Sequence, residues 1–293
     1  MQEFEGKTVV ISGGAEGIGL GLARVLGGHG MNVVLADINA EQLQIAEQIL
    51  KDLEIPVLAV PLDVAEMEQW QAVAEQALAR FGKLHMLINN AGVGGTAGGV
   101  EGADEKEWRW VVDVNLMGVA FGAQVIVPHI KSHGEGGWVI NVASMAGFGP
   151  LPLAGPYTAT KAAVVALTEC WRSELAAHNI KASVLCPGFV KTRIHESSRN
   201  KQARYADGSE QAAQAGGDMG GVIESVVTTG MDAAVVGERV VEALLADELY
   251  IFTHPNYRPS VKARWQAVDE AFERAEQSPL LAGDVVPELP FGS

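Results

Sequence analysis

A series of short runs in this chain is apolar at nearly every position rather than at every second one: Thr8-Val9-Val10-Ile11, Asn32-Val33-Val34-Leu35-Ala36, Val57-Leu58-Ala59-Val60, Met86-Leu87-Ile88, Trp138-Val139-Ile140-Asn141-Val142 and Ala182-Ser183-Val184-Leu185. A strand with one wet face alternates; strands without alternation need cover on both faces, as in a parallel sheet between two layers of helices. Amphipathic stretches at about 18–29, 40–53, 66–81, 104–132 and 156–178 separate the runs and supply right-handed crossovers. The pattern predicts a doubly wound α/β domain over residues 1–253. Two segments depart from the rhythm. Residues 193–230 are polar and rich in Gly, Ala and Gln, a length that predicts a mobile substrate loop. Within 254–293, Val261, Trp265, Val268 and Phe272 make one stripe of a terminal helix, and the tail from Ser278 has no period.

Composition narrows the function. A length of 293 residues suits one large core, and 48% hydrophobic residues exclude a largely disordered chain. No purely apolar stretch approaches the roughly 20 residues of a membrane helix. Met1-Gln2-Glu3-Phe4-Glu5 lacks the basic start of a signal peptide. Two cysteines, Cys170 and Cys186, make no disulfide framework. A net charge of −15 argues against nucleic acid, whose binders need a basic face. The expectation is a cytoplasmic protein without nucleic-acid or membrane partners.

Between the first strand and first helix lies Ser12-Gly13-Gly14-Ala15-Glu16-Gly17-Ile18-Gly19. Glycines there allow a tight turn and close approach of backbone to a pyrophosphate, which the helix N-terminus then holds with N–H groups. Asp37 closes the second strand, where an acid can bond both ribose hydroxyls and would repel a 2′-phosphate. No Lys or Arg lies within 13–19 or 37–44, so NAD is expected over NADP. As an alternative, Asp37 caps the following helix. Tyr157 and Lys161 sit one turn apart on a helix face, where an ammonium can favour the phenolate and the phenol can exchange a proton with an alcohol or carbonyl. Ser144 ends the preceding strand at its carboxyl side, where open α/β sheets bind ligands.

With these residues the chain resembles the short-chain dehydrogenases/reductases. The matching pieces are Ser12-Gly13-x-x-x-Gly17-Ile18-Gly19, Asp63-Val64, Asn89-Asn90-Ala91-Gly92, Asn115, Ser144, Tyr157-x-x-x-Lys161 and Pro187-Gly188, in the family's order, with Ser12 where the family usually has Thr. The resemblance implies a single-domain Rossmann-type sheet and an NAD(P)-dependent oxidoreductase. It implies Tyr157 as general acid/base, Lys161 as the group that lowers its pKa and binds the nicotinamide ribose, Ser144 on the substrate oxygen, and Asn115 holding a water that links Lys161 to solvent. Asp63 and Val64 would border the adenine, Asn90, Ala91 and Gly92 the adenine ribose, and Pro187, Gly188, Val190 and Thr192 the nicotinamide end, with Ile38 beside Asp37. A homodimer or homotetramer packed through helix 156–178 is also implied.

Other candidates read as structural. His129 and His133 share i, i+4 spacing, but no third ligand completes a metal set. Trp108 and Trp110 read as packing, and both cysteines as buried thiols. Met145, Phe148, Leu151, Leu153 and Phe189, with Ser144 and Tyr157, predict an apolar substrate pocket without a cation. A bulky, uncharged, hydrophobic or aromatic secondary alcohol, or its ketone, would suit it. Pro152 to Tyr157, the run Leu249 to Pro255 and the terminal helix resemble a subgroup with extended C-termini, including dehydrogenases of the benzylic carbon of lignin-type aryl ethers. Two alternatives stand: a ketoacyl-thioester reductase, which calls for NADPH and a basic docking surface, and a non-catalytic NAD-binding protein.

Overall fold

The computed structural model describes residues 3–206 and 228–281, so much of the expected loop 193–230 and the end of the tail lie outside the described residues. The chain divides into two compact units, Met1–Thr253 and His254–Ser293. The first begins with β1 (Thr8–Ser12), α1 (Gly17–Gly28), β2 (Asn32–Asp37), α2 (Ala40–Asp52), β3 (Val57–Pro61), α3 (Met67–Phe81) and β4 (Met86–Asn89). Then α4 (Glu105–Val112), a π turn at Asp113–Met117 and α5 (Gly118–Ser132) run as one continuous helix. β5 (Gly137–Val142), α6 (Gly155–Ala176), β6 (Ile180–Cys186), α7 (Ala233–Leu245) and β7 (Tyr250–Phe252) complete the unit. The second unit carries α8 (Arg258–Glu276).

Among the described residues the strands form one parallel sheet in the order β3-β2-β1-β4-β5-β6-β7, the doubly wound class that the sequence predicts. Alternate residues of each strand feed opposite cores. Val9, Ile11, Val33 and Leu35 join Leu22, Leu26, Leu50, Val236 and Val240 from α1, α2 and α7. Val10, Val34 and Ala36 join Trp70, Trp110, Ile126, Ile130 and Leu175 from α3, α4, α5 and α6 on the other face. At roughly 1.5–3 kcal/mol per buried aliphatic or aromatic side chain, both layers are needed to hold the strands.

Two core elements, α7 and β7, lie outside the alternation expected from the sequence. The signal of α7 is blurred by a mid-helix Gly237, which has a packing reason. A Cβ there would lie 2.7 Å from a Val25 methyl, and one at Gly21 would lie 2.7 Å from the Ala233 methyl, so α1 and α7 touch over bare backbone. By length and composition the helix Glu105–Ser132 could cross a membrane, a feature the run-length reading did not register, but 56% of its apolar window is buried inside the fold.

At the amino end of the sheet, His133 meets His85 instead of forming the pair with His129 that its spacing suggested; the ring centroids are 4.8 Å apart. His85 Nδ1 accepts the Thr8 N–H at 3.1 Å, and its Nε2 lies 3.2 Å from a Glu135 carboxylate oxygen. His133 Nε2 faces the Leu84 carbonyl at 2.8 Å and its Nδ1 accepts the Glu135 N–H. A proton added to Nδ1 of His85 would face the Thr8 N–H. Burial holds the His85 pKa below its ordinary value, partly offset by Glu135, while Lys83 and His85 hold the Glu135 carboxyl at about 2. His85 is neutral in both states well above pH 6.5, so its contribution is complete there; as pH falls through 6.5, the unfolded chain takes the proton more readily and stability is lost. Between pH 7.5 and 5.5, where Glu135 stays ionised, the wild-type melting temperature should therefore fall more steeply than that of His85→Gln. Parallel curves by scanning calorimetry would refute this role.

Candidate active site

The strand order reverses between β1 and β4, which opens a crevice beyond their carboxyl ends. The glycine turn crosses it. Gly13 and Gly17 have φ of 60° and 56°, a region that side chains avoid. A Cβ on Gly13 would lie 2.8 Å from Ala91 Cα, one on Gly17 3.0 Å from a Thr192 methyl, and one on Gly19 would collide with the Gly13 carbonyl. The turn is stapled to the end of β4. Asn90 Nδ2 donates to the carbonyls of Ser12 and Gly13 at 2.9 and 2.8 Å, and the Ser12 hydroxyl accepts from the N–H groups of Asn90 and Ala91 at 3.1 and 3.2 Å. The Asn90 amide is thus committed to holding the turn. No side chain caps the N-terminus of α1 and no acid lies in its first turn, so its N–H groups point at the crevice as an anion site. This glycine cradle fits a dinucleotide pyrophosphate.

Asp37 ends β2, buried, and accepts from the N–H groups of Ala15 and Asn39 at 3.1 and 2.9 Å. Burial pushes its carboxyl above the usual range, and these two N–H groups work against that. Asn39, not Asp37, caps α2, accepting from Gln42 N–H at 3.1 Å. Ile38 beside it is half exposed. Beyond β3, Asp63 accepts from Ala65 N–H at 3.0 Å, while Val64 is buried and its carbonyl accepts from Trp70 Nε1.

The part of 193–230 that lies within the described residues forms a strap of short 3-10 turns at Ile194–Asn200 and Ala203–Tyr205. It bridges the loops that border the crevice. Ser197 Oγ accepts from Gly94 N–H at 3.1 Å, and Lys201 Nζ meets the buried Glu107 at 2.7 Å. Arg204 meets Asp63 at 2.7 Å and Glu66 at 2.8 Å, and the Tyr205 hydroxyl donates to Asp113. Arg193 and Arg199 both pair with Glu16, so the acid next to the anion site is matched by cations. Sequence reasoning missed these contacts. Their signal was present, since Lys191, Arg193, Arg199, Lys201 and Arg204 crowd into a short stretch of an acidic chain.

Ser144 follows β5 and caps the turn Met145–Gly147, its Oγ accepting from Ala146 N–H at 3.1 Å. The Ser144 side chain also acts on the Tyr157 hydroxyl, pulling its pKa down. One turn along α6, the buried Lys161 donates to the Val142 carbonyl at 2.8 Å, with Nζ 5.7 Å from the Tyr157 ring centroid. Burial lowers Lys161 to about 8. Burial also raises Tyr157, against the pull of Ser144. The resemblance implies instead a lowering of Tyr157 by Lys161, whose ammonium here is directed at the Val142 carbonyl. Asn115 lies in the π turn, fully buried. Its Oδ1 accepts from Val93 N–H at 2.8 Å and its Nδ2 donates to the Val93 carbonyl at 2.9 Å. Gly92 lets these groups converge, since a Cβ there would lie 3.3 Å from Asn115 Oδ1 and 3.4 Å from Lys161 Nζ.

The Pro187 carbonyl accepts from Met145 N–H at 2.9 Å, which sets the segment Gly188 to Thr192 beside the Ser144 turn. Val190 is buried in the core and pairs with Met231. Of the expected pocket residues, Leu151 and Leu153 are each 47% exposed, Phe189 is 38% exposed and Met145 is half-buried. Phe148 departs from the expectation. Its ring is buried against Tyr250 and Phe252, with centroids 5.9 and 5.3 Å away, and packs the β7 edge. Of the two cysteines expected to be buried, Cys170 is exposed, while burial pushes the Cys186 thiol up to about 12, so Cys186 is no nucleophile at neutral pH.

Known proteins resemble this chain in sequence and fold. The short chain dehydrogenase family profile matches residues 7–203. A C alpha-dehydrogenase of Sphingobium sp. (strain NBRC 103272 / SYK-6) is 30% identical over 284 residues, 95% of this chain and 90% of the relative. A trans-4-hydroxycyclohexanecarboxylate dehydrogenase of Sinomonas cyclohexanicum is 39% identical over 192 residues, 64% of this chain and 73% of the relative. Among solved structures, a short chain dehydrogenase/reductase from Burkholderia phymatum in complex with NAD superimposes with a TM-score of 0.87 at 33% identity, covering 98% of this chain and 100% of that one. Fold, crevice and sequence agree: the chain belongs to the short-chain dehydrogenase family of oxidoreductases.

Proposed function

We propose that the chain is an NAD-dependent dehydrogenase that interconverts a secondary alcohol and its ketone, with Tyr157 as the acid/base. The observation that carries this reading is the convergence of Ser144, Tyr157 and the buried Lys161 at the carboxyl end of the sheet, with Lys161 one turn beyond Tyr157 on α6. The nicotinamide supplies, when bound, the donor or acceptor of hydride. Ser144 orients the substrate oxygen by hydrogen bonding. In reduction the Tyr157 hydroxyl gives its proton to that oxygen; in oxidation the phenolate takes it back. Lys161, at about 8, is mostly an ammonium at neutral pH, and turned from Val142 toward the phenolate it would stabilise that form. Because the Asn115 side chain is taken up by Val93, its part in a proton relay falls to its main chain.

The Asp37 carboxylate supports NAD over NADP, since a 2′-phosphate beside it meets like charge. Four strap cations, Arg193, Arg199, Lys201 and Arg204, are engaged by Glu16, Glu107, Asp63 and Glu66. Leu151, Leu153 and Phe189 leave apolar surface for a bulky, uncharged, hydrophobic or aromatic substrate. The name of the Sinomonas relative agrees with oxidation of a ring hydroxyl, there on a carboxylate-bearing compound, so it supports the alcohol chemistry and not the uncharged substrate class. Half-buried Ala163, Leu167 and Trp171 on α6 support a homodimer or homotetramer.

A panel of aryl and alkyl alcohols and ketones, read by NADH and NADPH absorbance, tests the whole reading; faster turnover of a small charged hydroxy acid than of any aryl ketone would overturn the substrate class. Tyr157→Phe should lower kcat by about a hundred- to ten-thousand-fold while leaving NADH affinity within a few-fold by fluorescence titration. Asp37→Asn should narrow the preference for NADH over NADPH by about tenfold or more, roughly 1.4 kcal/mol, in the ratio of their Kd values.

A further inference from the structure

None of the residues of α8 in the second unit is buried, and its aromatic stripe is open, with Trp265 59% and Phe272 68% exposed. The spacing of Val261, Trp265, Val268 and Phe272 alternates four, three and four, which is the a/d seam of a heptad helix pair. These four positions are symmetric about the point between Gln266 and Ala267. Turned end for end about that point, the helix sets Val261 opposite Phe272 and Trp265 opposite Val268. The charges follow the same symmetry with the sign reversed. Arg258, Lys262 and Arg264 precede the midpoint; Asp269, Glu270, Glu273 and Glu276 follow it, with Arg274 the exception. Lys262 and Asp269 hold equivalent e positions beside the seam, and e positions meet each other when two helices run antiparallel.

We propose that α8 pairs antiparallel with α8 of a second copy of this chain, across a two-fold axis between Gln266 and Ala267. A contact of this kind is isologous, the same patch serving both copies, and a self-complementary pattern of apolar and charged positions is what it requires. Antiparallel pairing sets each basic half against an acidic half and opposes the helix dipoles. Parallel pairing stacks like halves. Four apolar side chains from each helix are fewer than a free-standing dimer interface needs, so the pair strengthens an assembly formed elsewhere on the chain by raising local concentration. It rests in that respect on the homo-oligomeric reading.

The test uses the full-length chain in a Cys170→Ser background, which removes the exposed thiol; Cys186 is buried and held protonated. Chains carrying Trp265→Cys under one tag and Val268→Cys under another are co-expressed and oxidised. The mixed disulfide should dominate over either homodisulfide. Its absence, or dominance of the Trp265→Cys homodisulfide, overturns the proposal. A second measurement keeps the seam intact: Lys262→Glu and Asp269→Lys should each weaken assembly about tenfold in sedimentation equilibrium, and the double variant should restore it. Assembly unchanged by both single reversals overturns the α8 pair while leaving self-association standing, whereas a monomeric wild type overturns both.

Discussion

Where β1 and β4 lie side by side, two helical layers part and the chain must hold a crevice open without losing its sheet. The hydrogen bonds between Ser12, Gly13, Asn90 and Ala91 meet that demand. They satisfy backbone groups that an open crevice would otherwise leave to water, and they fix the glycine turn against the end of β4. Each is worth only about 1 kcal/mol net, but leaving the same groups buried and unpaired costs more. The positions of the α1 N-terminus, of Asp37 through Ala15, and of Thr192 against Gly17 follow from the staple.

A chain of net charge −15 might be expected to repel a dinucleotide, yet the local field differs from the global one. Backbone N–H groups face the pyrophosphate position, and Glu16, the acid next to them, is paired with Arg193 and Arg199 from the strap. Asp37 accepts from the N–H groups of Ala15 and Asn39, and in the proposed reading its carboxylate is the acid that discriminates at the ribose. Cations absent from the turn in sequence are brought there by the fold.

Much of this was legible in the chain. Strand runs without alternation specify the parallel sheet because burial on both faces leaves no polar positions, and Gly13, Gly17 and Gly19 mark a turn where side chains do not fit. The set Ser144, Tyr157 and Lys161 is readable because helical spacing is fixed. Other features were hidden for physical reasons. α7 carries a glycine that is a packing surface for Val25, which looks like a helix breaker in sequence. Phe148 reads as a pocket residue by its neighbours, but its partners Tyr250 and Phe252 come from a strand beyond 200. The Asp63–Arg204 and Glu107–Lys201 pairs join residues about a hundred or more positions apart, and no local pattern encodes such pairing. The raised Tyr157 pKa comes from burial of its hydroxyl, which spacing alone does not set.

The continuity of the helix from Glu105 to Ser132 gives the π turn a mechanical meaning. Its first turn grips Thr96 and Lys201 through Glu107, its middle grips Val93 through Asn115, and its last turns are packed into the core by Ile126 and Ile130. The π turn sets Asn115 between these two anchorages of the helix. Asn115 lies there one hydrogen bond from Thr160, and Gly92 leaves room for its Oδ1 and the Lys161 ammonium to converge. The strap and α6 are thereby fastened to one helix, through Lys201 and Glu107 on one side and Thr160 and Asn115 on the other.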